Sequence, residues 1–94
     1  MGTVVYKYKV FVGENHTNLP HSYDILHFGE DGDGKLCFWA LVNPDDALEA
    51  VEFRVYGTGW EIEENDEQFL FHMGTVVTSV GLVWHLFEVW AIPH

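Results

Sequence analysis

Leu36-Cys37-Phe38-Trp39-Ala40-Leu41-Val42 is an apolar run without a polar break, closed by Asn43-Pro44. A half-buried strand alternates apolar with polar residues, so this run calls for cover on both faces. It is too short to span a bilayer. Turn signals bound it, Asp31-Gly32-Asp33-Gly34 before and Asn43-Pro44 after. The run therefore reads as the central strand of a small β-rich domain. Asp-Gly pairs tolerate positive φ, so the preceding turn is expected to fold residues 22–28 back on it as an antiparallel hairpin. In that partner, Tyr23, Ile25 and His27 would share one face, with Asp24, Leu26 and Phe28 on the other.

Working outward, residues 3–12 alternate as a strand, with Val4, Tyr6, Tyr8, Val10 and Val12 on one face and Val5, Lys7, Lys9 and Phe11 on the other. Residues 13–20 are dense in turn formers and read as a loop. Between Pro44 and Ala50 at most one short helical turn is expected, with Asn43 as its N-cap. Residues 51–56 alternate strictly, Val51, Phe53 and Val55 inward, until Gly57-Thr58-Gly59 imposes a bend or bulge. Residues 60–63 read as a short strand and residues 64–67 as a charged turn. Residues 68–78 read as a strand interrupted at Gly74, and residues 82–92 as the last strand. About six strands with polar turns predict an all-β fold, a small antiparallel sandwich or partly open barrel, as one domain over residues 1–94. More positions are apolar than a two-layer domain buries, which points to a homodimer.

The chain has 94 residues, with four basic side chains against fifteen acids and a formal charge of -11. Phosphate backbones and anionic lipid repel such a surface, which argues against direct nucleic-acid or membrane binding and favours a basic protein partner. The same charge also keeps an aromatic-rich domain soluble. Cys37 is the sole cysteine, expected to be buried and inert. With no leader or transmembrane segment in view, the expected location is cytoplasmic.

No catalytic signature is present. Of the histidines, His16 and His21 share a loop, while His27, His72 and His85 lie in strands. None has zinc-finger or metalloprotease spacing, so no metal and no cofactor is expected. His94, at the chain end, is expected to be mobile. The segment Glu30 to Gly34 lacks the later oxygen ligands of a calcium loop. Neither Ser22 nor Ser79 has a nucleophile setting. Two candidate sites remain. One is protein-binding: Trp60 with the acids Glu61, Glu63, Glu64, Asp66 and Glu67, an aromatic anchor with a charged rim. A core tryptophan at a strand start explains Trp60 more simply. The other is anion-binding, Arg54 beside the amides of Gly57, Thr58 and Gly59, although a glycine bend accounts for that turn by itself and Arg54 is expected to pair with Glu52 or a cross-strand acid.

Four blocks taken together carry a resemblance. They are Leu36 to Pro44, Phe53-Arg54-Val55-Tyr56-Gly57-Thr58-Gly59, Gly74-Thr75-Val76, and Leu82-Val83-Trp84-His85-Leu86-Phe87-Glu88. In that order they resemble a family of short, uncharacterised bacteriophage and prophage proteins, with no catalytic residues to carry over. The resemblance implies a phage-encoded, cytoplasmic, non-enzymatic accessory protein. Such a protein would bind a basic host partner, for example as a nucleic-acid mimic that blocks antiviral defence. Alternatives are an oligomeric sponge for a small anionic nucleotide and a minor virion structural or assembly protein.

Overall fold

The computed structural model describes residues 2–93, so His94 lies outside the described residues. The chain forms β1 (Val4–Lys9), β2 (Gly13–Pro20), β3 (Tyr23–Glu30), β4 (Leu36–Val42), β5 (Leu48–Gly57), β6 (Gln68–Val77) and β7 (Val83–Ala91). All pairings are antiparallel, in a three-stranded sheet ordered β1-β4-β3 and a four-stranded sheet ordered β2-β5-β7-β6. The sheets face each other as an open sandwich. The thin dimension of 15 Å fits two layers about 10 Å apart. No helix among the described residues is long and apolar enough to cross a membrane.

The apolar run is the middle strand of its sheet, as its two-faced apolarity predicts. Phe38, Ala40 and Val42 point into the core, against Val51, Phe53 and Val55 of β5 and Leu86 of β7. Phe38 stacks on Tyr8 with ring centroids 5.2 Å apart and meets Phe53 of the facing sheet at 4.8 Å. On the outer face, Cys37 is fully buried while Trp39 carries the His27 ring at 5.8 Å. Burial pushes the Cys37 thiol up and the Asp31 charge adds to it, which leaves the group inert.

The expected β3–β4 hairpin is present. Gly34 supplies a φ of 75° that a side chain would strain, and its amide donates to the Asp31 carbonyl (3.0 Å). The Asp31 carboxylate accepts from the amides of Asp33 (2.9 Å) and Lys35 (3.0 Å) and meets Lys7 Nζ at 3.3 Å. The Lys35 amide, working against burial and helped by the Asp33 amide and Lys7, holds this carboxyl below the ordinary value. The Asp31 carboxylate is thus engaged within the turn and by Lys7.

Four local readings need correction. Residues 13–20 are not a loop but the edge strand β2, which brings the count to seven. Its polar composition conceals an alternation in which Asn15 and Leu19 are buried, Thr17 is half-buried, and Glu14, His16 and Asn18 are exposed. Asn15 satisfies itself locally, donating to the Phe11 carbonyl and accepting the Phe11 amide, both at 2.8 Å. In β3 the register shifts between Ile25 and His27, so the alternation reverses at Leu26. Tyr23, Ile25 and Phe28 therefore pack on the core together, while Leu26 is exposed. The segment from Pro44 to Ala50 makes no helical turn: Asn43 closes a tight turn by accepting the Asp45 and Asp46 amides (both 3.1 Å), and β5 begins at Leu48. Residues 60–63 are irregular rather than a strand. The interruption in β6 falls as expected, with a register shift between His72 and Gly74.

Strand β3 is tied to the opposite sheet at both ends. Its last residue, Glu30, accepts the Ser79 amide at 2.6 Å, in the β6–β7 turn. Its first residue, Tyr23, donates its hydroxyl to Glu88 of β7. Polar bonds thus fix where the smaller sheet sits on the larger.

Candidate functional site

The candidate residues of the sequence lie at the end of β5, with Arg54 and Gly57, and along the β5–β6 connection. Trp60 follows a turn in which its amide donates to the Gly57 carbonyl (3.1 Å), and its ring meets Trp84 edge-on at 5.4 Å. Gly57 is required there, because a Cβ would lie 2.8 Å from the Trp60 indole. Yet Trp60 remains 51% exposed. It is neither a core tryptophan nor a free one, being seated on one edge and open on the other. Glu61, Glu63, Glu64, Asp66 and Glu67 follow it and are all exposed.

Glu61 and Glu63 run beside Glu14, Arg54 and Tyr56, where they line a groove of ≈ 300 Å³. The structure thus brings Arg54 and two of the acids into one place. Glu64, Asp66 and Glu67 do not line this groove. Arg54 is committed: Nε donates to Glu52 (2.7 Å) and the guanidinium reaches across β7 to Gln68 on β6 (3.0 Å). Burial alone would lower its pKa, and its bonds to Tyr56 and Glu52 outweigh that and raise it. Nor do the glycine-turn amides form a nest around Arg54. The Thr58 amide donates to the Val83 carbonyl (3.3 Å), and the Thr58 hydroxyl bonds His85 Nε2 (2.7 Å). His85 continues through Thr75 Oγ1 (2.9 Å) to His72 (2.8 Å), a polar chain that occupies these histidines on the outer sheet face.

Glu14, His16 and Glu52 form the one group among the described residues whose ligand atoms all lie within 4.8 Å of one another. They sit on adjacent strands, β2 and β5, with His16 directly opposite Glu52 and Glu14 opposite Arg54. Glu52 already pairs with Arg54, which sets a fixed positive charge beside any cation held there.

A second cavity, which sequence reasoning missed, opens between the sheets at the start of β3. Phe53, a core residue, pairs with Glu88, so Glu88 points inward. Its residue is only 5% exposed. One carboxylate oxygen accepts the Tyr23 hydroxyl and the other the Trp90 indole N–H at 2.5 Å. The cavity beside it, ≈ 540 Å³, is lined also by Asp24, Ile25, Glu49 and Met73. Beyond the edge of the smaller sheet, Phe69, Phe71 and Trp90 form an uncovered inner-face shelf, each about half exposed. The only signal in the sequence is a single acid within an apolar strand.

Burial pushes the Tyr23 hydroxyl above the ordinary tyrosine value, and its bond to Glu88 and the charges of Glu88 and Glu49 add to the rise. The folded chain therefore keeps this proton to higher pH than the unfolded chain, whose tyrosines titrate near 10. The associated stability is complete below about pH 10 and is lost as pH rises above it. Urea midpoints measured between pH 8 and about 11 should fall more steeply for the native chain than for Tyr23→Phe. Parallel curves would refute this.

No curated protein and no solved structure matches the chain. A family model described as Domain of unknown function (DUF7352) matches residues 1–93, and the chain belongs to that family.

Proposed function

We propose that the chain is a non-enzymatic protein-binding domain that takes a basic partner through the β5–β6 connection, with Trp60 as anchor and Glu61, Glu63, Glu64, Asp66 and Glu67 as its charged rim. The observation that carries this reading is the seating of Trp60. Gly57 and Trp84 hold one edge of the indole while half of its surface stays open beside a run of acids. An aromatic fixed in advance loses little rotamer freedom on binding, and hot spots favour tryptophan. The surrounding carboxylates would steer a basic surface and exclude an acidic one.

Within that reading the chain acts as a nucleic-acid mimic, with carboxylates standing in for phosphates toward a basic cleft, as an inhibitor of host antiviral defence does. The bacteriophage setting rests on the sequence resemblance alone. The cytoplasmic setting goes with it, supported by a buried cysteine that has no second cysteine to pair with. Homodimerisation is part of the proposal too, with the Phe69, Phe71 and Trp90 shelf as surplus apolar surface. The anion-sponge alternative draws less support, since Arg54 is engaged by Glu52 and Gln68 and its groove is lined by carboxylates.

Affinity capture from host cells at low and high salt, with Trp60→Ala in parallel, tests the reading. A basic protein retained at low salt, released at high salt and lost with Trp60→Ala is expected. Recovery of a nucleotide ligand, or equal capture by both chains, would overturn it.

A further inference from the structure

The inter-sheet cavity at Glu88 has the chemistry of a cation receptor. Each Glu88 oxygen accepts one bond, from Tyr23 or from Trp90, and a carboxylate oxygen has capacity for a further donor. Burying a carboxylate is costly unless a positive group answers it. No lysine or arginine lines this cavity, whereas Asp24 and Glu49 add two more carboxylates to it. The basic side chains Lys7 and Arg54 are paired elsewhere, with Asp31 and Glu52. His21, at the rim, is held by Glu49 at 3.1 Å. The remaining wall is apolar and aromatic, from Ile25 and Met73 to Trp90, and continues into a groove of ≈ 280 Å³ along Phe71. A carboxylate at the floor with hydrogen-bond donors but no lysine or arginine beside it, and an aromatic wall, together suit an organic cation on an apolar stem.

We propose that this cavity receives a lysine or arginine side chain of the basic partner, its charged head on Glu88 and its methylene stem along Met73 and Trp90. The proposal rests on the reading of a basic partner given above, and adds a second contact, on the inter-sheet side, to the Trp60 loop. Both charge complementarity and the mixed wall favour such a side chain, since long basic residues bury their stems on apolar surface and keep the head on a polar group.

The test follows the Trp90 indole N–H resonance while blocked amino acids are added to the full chain: N-acetyl-arginine amide, N-acetyl-lysine amide and the neutral N-acetyl-citrulline amide. A saturable shift with a dissociation constant of about 1–10 mM is expected for the cations and not for citrulline. It should weaken about tenfold or more in Glu88→Gln, with near-ultraviolet circular dichroism confirming the fold. Asp24→Asn, at the exposed rim, should weaken it without touching the core. Glu61→Gln with Glu63→Gln should leave it unchanged, which separates this site from the Trp60 loop. If those loop variants lose the partner while the cation shift persists, the cavity stands and the loop is also needed. Partner capture without any cation shift overturns the cavity proposal alone. Equal shifts with citrulline, or no loss in Glu88→Gln, overturn it as well. Binding of butylamine but of neither blocked amino acid assigns the site to a free amine and overturns the partner side chain. A shift with protein concentration alone assigns the cavity to a second copy and does the same.

Discussion

Replacing Phe38 by alanine should cost about 3–5 kcal/mol of folding stability. The urea midpoint should fall by at least about 1 M. Phe38 has no exposed surface and bridges both layers, with Tyr8 of its own sheet stacked on it and Phe53 of the other sheet against it. A domain of this size has roughly 5–15 kcal/mol in total, so one ring is a large share. The ring lies in a central strand with neighbours on both sides, and the site cannot collapse from an edge. A loss below about 1 kcal/mol would mean that the two sheets do not share this core.

Val55→Asp should unfold the chain at 25 °C, with loss of the β-sheet circular-dichroism signal and of dispersed NMR resonances. Val55 is fully buried and sits between Gly13 of β2 and Leu86 of β7. A carboxylate there has no side-chain donor and no route to water, and an unpaired buried charge costs more than about 4–5 kcal/mol. Glu88 shows why the cost depends on place rather than residue type. It is inward on the adjacent strand and nearly as buried, yet it has the Tyr23 hydroxyl and the Trp90 indole as donors. A folded Val55→Asp chain with native stability would contradict the inward orientation of β5.

The sequence was informative where hydrophobic pattern alone decides structure. The unbroken run of β4 required two-sided cover, and the Asp-Gly turn required the hairpin to β3. Alternation in β5 identified Val51, Phe53 and Val55 as core. It was silent where pairing, rather than composition, makes the strand. β2 has one buried aliphatic before its terminal proline, and its ladder comes from β5. The bulge at Leu26 reverses the inward face of β3, and no residue type there announces it. Trp60 and its acids were visible as a cluster in sequence, but not that Gly57 and Trp84 hold the indole half open. The Glu88 cavity was invisible for a simpler reason. Tyr23 and Glu88 lie 65 positions apart, and only the stacking of the two sheets brings them together.

The proposed binding surface is the acidic connection around Trp60. Its most direct test is the salt dependence of partner binding, measured by titration calorimetry for the native chain and for a chain with Glu61, Glu63, Glu64 and Glu67 changed to glutamine. The native chain should lose about tenfold or more in affinity between 50 and 200 mM salt. The neutralised chain should bind more weakly at low salt and lose most of that dependence. Equal affinity and equal salt dependence for the two chains would contradict the assignment.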